Sequence, residues 1–99
     1  MSTASEMLVT LHLPTRTLFS GKATKLFAVA SNGSFGILPN HTDFVTALIP
    51  SVLTLTMVEA DEYVFGIDEG LLVKNGPAAH IVARRGVMGD DLDRLRETG

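Results

Sequence analysis

His41 and Asp43, inside the stretch "GSFGILPNHTDF" (residues 33–44), are a pair of the 99-residue chain whose types and spacing could do chemistry. An imidazole and a carboxylate two residues apart can share a proton as general base and orienter, or hold part of a metal shell. A small metal-dependent hydrolase is therefore one reading of the sequence. It gains little elsewhere. His12, His41 and His80 show no H-x-x-x-H spacing of a helical zinc site, and His12 and His80 fall on the less apolar rows of their strands, where a solvated histidine is expected. No metal site is expected. The acidic pairs Asp61-Glu62 and Asp68-Glu69 sit where hairpins should turn, and Asp90-Asp91 with Asp93 does not fit a calcium loop. Gly33 and Gly36 lack the following G-K-[ST] and helix that a phosphate cradle needs, and no serine lies in a G-x-S-x-G elbow. No catalytic nucleophile is nominated and no cofactor is expected.

The same stretch also reads as a docking loop. Phe35, Ile37 and Leu38 supply apolar surface, Gly36 permits close approach, and Pro39 fixes the chain so that Asn40 and His41 project together. Rigid loops lose little entropy on binding. From the residues alone a plain strand connection is the stronger of the two interpretations, and a sandwich module that binds an unrelated peptide is a further alternative.

The elements around the loop are predominantly strands. Met7, Val9, Leu11 and Leu13 alternate with Leu8, Thr10 and His12 until Pro14 stops them. Thr17 to Phe19 predicts a short strand closed by a turn at Ser20-Gly21. Ala23 to Ala30 carries apolar residues on both faces and is expected between two layers. Ser31-Asn32-Gly33 predicts a tight hairpin, with Ser34 to Leu38 returning and Gly36 allowing a bulge. Further strands are expected at Phe44–Leu48, Val52–Val58, Tyr63–Ile67, a brief one at Leu71–Lys74, and one whose inward row is Ala79, Ile81 and Ala83. Many short strands with turns between them point to an all-β fold. Helical character enters only at the end, where Asp90 or Asp91 can cap a helix beginning at Leu92.

Composition narrows the function classes. Ninety-nine residues make one core, with no cysteine for a disulfide or thiolate site. Eight basic against 11 acidic residues give a net charge of −3, with no basic stripe, so nucleic acid is not an expected partner. No apolar run reaches the roughly 20 residues of a membrane span, and residues 1–6 lack the charge and apolar pattern of a signal peptide. A soluble domain is expected, meeting a membrane only through partners.

"LFSGKATKLFAVASNGSFGILPNHTDFVTAL" (residues 18–48) resembles the N-terminal β-sandwich of the epsilon subunit of F-type ATP synthases, called delta in mitochondria. The family pattern there is L-F-S-G, a strand, G-x-F/L-G-I-L/Y-P-G-H-A-P, then L-L-T-A-L. "IPSVLTL" and "EYVFGIDEGLLVKNGPAAHIVA" extend the likeness over about residues 7–96. The resemblance implies a flattened antiparallel β-sandwich of about ten short strands over residues 7–88. A flexible N-terminus (residues 1–6) would precede it and the start of a C-terminal helix (residues 89–99) would follow.

It further implies a non-catalytic rotor subunit of the central stalk, docking gamma to the membrane ring of c subunits and coupling ion translocation to ATP synthesis or hydrolysis. Contact with alpha and beta would be indirect, and the location the cytoplasmic face of the inner membrane. Carried over, Ser34, Asn40 and His41 would face the ring. Phe35, Gly36, Ile37, Leu38, Pro39, Phe44, Val45 and Leu48 would support that loop or face gamma.

The chain departs from the pattern at Asn40, Thr42-Asp43, Ile49, Ser51, Glu69-Gly70-Leu71 and Arg84-Arg85-Gly86, which points to a divergent branch such as the alternative F-type enzymes. Leu92, Asp93 and Arg96 resemble a regulatory ATP motif, I/L-D-x-x-R-A. Glu97 replaces its alanine, so ATP binding is not expected.

Overall fold

The computed structural model describes residues 6–59 and 61–89, which form nine strands. They are β1 (Met7–His12), β2 (Thr17–Ala30), β3 (Gly33–Ile37), β4 (Phe44–Leu48), β5 (Ser51–Met57), β6 (Glu62–Ile67), β7 (Gly70–Asn75), β8 (Ala78–Ala83) and β9 (Gly86–Met88). Hydrogen bonds link them in the order β4-β7-β8-β1-β2-β5-β6-β9, with β3 also on β2. The all-β sandwich expected from the sequence is the observed architecture. The expected C-terminal helix, with Leu92, Asp93 and Arg96, lies outside the described residues.

Strand β2 makes the sandwich possible. The expected break at Ser20-Gly21 is absent, and one strand of 14 residues runs through it. Its first part pairs with β1 from Thr17 to Ala23, and its second part lies between β3 and β5. It thereby belongs to both layers. Gly21 serves packing instead of turning: a Cβ there would stand 2.9 Å from Phe19 Cζ and 3.1 Å from Met57 Cε.

The β2–β5 register shifts between Ala23 and Lys25, leaving Thr24 to donate its hydroxyl to the Thr56 carbonyl. That bulge reverses the inward parity, so Ala23 is buried on one side of it and Leu26, Ala28 and Ala30 on the other. Phe27 consequently points outward at 40% exposure, which corrects the expectation of apolar cover on both faces.

Inward rows otherwise follow the alternation. Met7, Val9 and Leu11 meet Leu53, Leu55, Phe65, Leu72, Ala79, Ile81 and Ala83 in one core. Each large side chain there contributes about 1.5 to 3 kcal/mol by leaving water. The Phe19 ring lies tilted against those of Phe65, at 5.1 Å and 59°, and Tyr63, at 5.5 Å and 54°. The Ser31-Asn32-Gly33 hairpin forms as expected, with Gly33 at φ 126°. Two further features depart from the sequence reading. β1 and β8 pair in parallel within an otherwise antiparallel network, and β9 is an additional short strand on β6.

Candidate functional site: a loop stapled to a distant turn

Residues 38–43 leave β3 and enter β4, and their conformation is set by β7. Lys74 follows Leu72 on the inward row and is only 2% exposed, one of two buried polar residues among those described. Its ammonium donates to the carbonyls of Pro39 (3.0 Å), His41 (3.2 Å) and Gly76. Three donors thus meet three acceptors. A lysine is hardly ever this buried without such partners, because desolvating the charge costs several kcal/mol unless hydrogen bonds compensate.

A second staple runs beside the first. Asp43 Oδ1 accepts the Gly76 N–H at 2.7 Å. The loop's own closure is a single main-chain bond, His41 N–H to the Leu38 carbonyl at 2.9 Å.

The sequence-nominated residues distribute unevenly around this arrangement. Asn40 and His41 are exposed at the loop, and Ser34 is exposed on β3. Phe44 links them: its ring lies 4.9 Å from the His41 ring and 6.1 Å from that of Phe35, giving an aromatic row from loop to β3. Ser34, Phe35, Phe44 and Val45 border one shallow depression. Leu38 and Val45 are exposed, at 52% and 62%. Ile37, Leu48 and Pro39 are buried, Ile37 and Pro39 beside the loop and Leu48 at the far end of β4, opposite Gly70. Gly36 faces no backbone: a Cβ would meet Lys25 Cε at 3.3 Å and Phe27 Cδ1 at 3.8 Å.

His41 and Asp43 do not form a catalytic pair. The His41 Nδ1–H donates to the Thr42 carbonyl at 2.7 Å, while the Asp43 carboxylate is engaged by Gly76. Among the described residues no three His, Cys, Asp or Glu side chains gather into a metal-holding group. His80 instead bonds Thr10 at 2.8 Å, and His12 bonds Thr17 at 3.1 Å, their rings stacked at 6.3 Å on an outer face.

Two elements escaped the sequence reading. Lys74 is one; the signal was its parity with Leu72, directly before an Asn-Gly turn. The other is the outer face of β4, β7, β8 and β1. There Val45, Leu71, Val82 and Leu8 are each more than two-fifths exposed, with Leu71 directly opposite Val82. Neighbouring exposed apolar residues on one sheet face mark an interaction surface more often than isolated ones do.

Residues 6–89 match the model of the family described as ATP synthase, Delta/Epsilon chain, beta-sandwich domain. ATP synthase epsilon chain 2 of Paraburkholderia xenovorans is 38% identical over 89 residues, covering 88% of this chain and 64% of the relative. The epsilon chain of Hydrogenovibrio crunogenus is 36% identical over 77 residues, covering 78% of this chain and 53% of that protein. The chain thus spans about two-thirds or less of these relatives.

In fold it is similar to a chain of the Euglena gracilis mitochondrial ATP synthase (TM-score 0.84, 17% identity, 99% of this chain and 64% of that one). A chain from the central stalk and c-ring of the Tetrahymena thermophila mitochondrial enzyme is also similar (TM-score 0.68, 18% identity, 87% and 69% covered). With the family pattern running through the stapled loop and across the sandwich, the chain belongs to the delta/epsilon β-sandwich family of ATP synthases.

Proposed function

We propose that the chain is a non-catalytic subunit of the central stalk of an F-type ATP synthase, joining gamma to the ring of c subunits. It works by shape: the sandwich transmits torque through packed surfaces and makes no bonds. The observation that carries this reading is family membership combined with a preformed projecting loop. Asn40 and His41 stand exposed on backbone held by Lys74 and Asp43, so docking there costs little ordering entropy.

In this reading Ser34, Asn40 and His41 meet the polar loops of the c-ring. Leu38, Phe35, Phe44 and the exposed Val45 lie between that contact and gamma. Ile37, Pro39 and Gly36 serve the loop's shape, and Leu48 packs in the core at the far end of β4. The aliphatic face bearing Leu71 and Val82 adjoins Val45 through β7 and extends the gamma-facing surface. Alpha and beta are reached only through gamma, and the location is the cytoplasmic face of the inner membrane. No described helix is long and apolar enough to cross a membrane; in this reading attachment runs through the complex.

The double variant Asn40→Asp with His41→Asp tests the loop. It should lower affinity for purified gamma–c-ring complex about tenfold while circular dichroism stays unchanged, since both side chains are exposed. Wild-type affinity would remove the loop from the interface.

A further inference from the structure

We infer that Lys74 is the positioning residue of the docking loop: from β7, touching no partner, it sets the direction in which Asn40 and His41 project. The inference rests on the docking reading above.

Among the described residues Lys74 pairs with no carboxylate. The salt bridges among the described residues, Lys22–Glu6 at 3.3 Å and Arg84–Glu69 at 3.3 Å, are exposed and elsewhere. The charge of Lys74 is spent on main-chain carbonyls, and its hydrogen bonds are of the charge-assisted kind, stronger than neutral ones. Two of the three acceptors belong to one loop, and they flank Asn40 on both sides. Because the carbonyl and the following N–H of a trans peptide point in opposite directions, turning the Pro39 and His41 carbonyls inward turns the Asn40 and Thr42 N–H groups away from Lys74. The orientation of the two peptides that bracket the exposed tip therefore follows from one distant ammonium.

The third acceptor, Gly76, is the residue whose N–H binds Asp43, so the same turn holds the loop at a second point. Without Lys74 the loop keeps Asp43 as a hinge and the single His41–Leu38 bond, and samples other peptide orientations. Affinity then falls by the fraction of time that the competent orientation is populated.

The test is made on the full chain with purified gamma–c-ring complex. Lys74→Met keeps the buried stem and removes every N–H. It should leave circular dichroism unchanged, speed exchange of the His41 and Gly76 amides at least tenfold more than that of the core amides on β1, β5 and β8, and weaken binding about tenfold. Because the chain has no cysteine, Lys74→Cys can be alkylated with 2-bromoethylamine while unfolded, restoring an amine at lysine length. Affinity should return to within about twofold of wild type.

Lys74→Gln, which retains two donors, serves if the methionine variant does not fold, and its affinity and His41 exchange should lie between the extremes. Weakened binding by Asn40→Asp/His41→Asp but not by the Lys74 variants would overturn the positioning role and leave the docking reading standing. Unchanged binding by the double variant would overturn both. Weakened binding by Lys74→Met that the alkylated cysteine does not restore would also overturn the role of the ammonium.

Discussion

Two turns flank β3, and they are held in opposite ways. The turn at residues 31–33 closes on itself: Gly33 takes φ 126°, a Cβ there would meet nothing within 4 Å, and β2 and β3 pair up to Ala30 and Gly33. The loop at residues 38–43 closes with help from some 33 to 35 residues away, through Lys74 and Gly76. One conformation is written into the dihedral preferences of its own residues. The other is borrowed from a strand on the opposite side of the chain's course. A surface that must present side chains in a defined direction gains from the second arrangement, because cross-links at two points restrain orientation as well as path.

Substitutions can break this contrast or sharpen it. Lys74→Ala should have the largest effect, about 3 kcal/mol in urea denaturation, from lost charge-assisted hydrogen bonds and a cavity beneath the loop. Its chemical-shift changes should concentrate in residues 38–43 and 75–77. Comparable changes at residues 31–33 would show that the two turns are not independent. Gly33→Ala should cost about 1 to 2 kcal/mol by placing a side chain in a backbone region that L-residues avoid, with no steric clash. Its shift changes should stay local to the hairpin, and a spread into residues 38–43 would defeat the contrast from the other side.

Asp43→Ala removes the weaker staple at an exposed position and should cost about 0.5 to 1 kcal/mol, with faster exchange at the Gly76 amide as the direct readout. His41→Ala should be smallest in stability, within about 0.5 kcal/mol by thermal denaturation. A clear loss of stability there would reassign His41 from projecting residue to structural one.

The difference between these turns also explains which parts were legible in advance. Strands β5, β6 and β8 follow from period-two alternation, because the inward row there is continuous and strongly apolar, whereas β4 showed only as a short apolar run. The hairpin followed from Asn32-Gly33. The loop stood out by its Pro, Gly and His content, and the family pattern runs through it.

Lys74 did not stand out, since a lysine before a turn ordinarily reads as solvated and only the tertiary acceptors make its burial tolerable. Ser20-Gly21 suggested a turn because glycine permits one, whereas the Phe19 ring, lying over Gly21, is what requires the missing side chain. β9 is three residues long and exists by pairing with β6, so no periodicity could announce it.

By itself the sequence determined an all-β chain, the alternating rows of its core, the hairpin at residues 31–33 and membership of a family. These depend on backbone dihedral preferences and on the spacing of apolar side chains, which act between near neighbours. Tertiary structure alone decided the bulge at Thr24 that sends one strand through two layers, the parallel pairing of β1 with β8, the outward Leu71, and the inward Lys74. Each of these depends on which distant strand supplies the partner, and that choice follows from packing and hydrogen bonding summed over the whole fold, which no local stretch of residues contains.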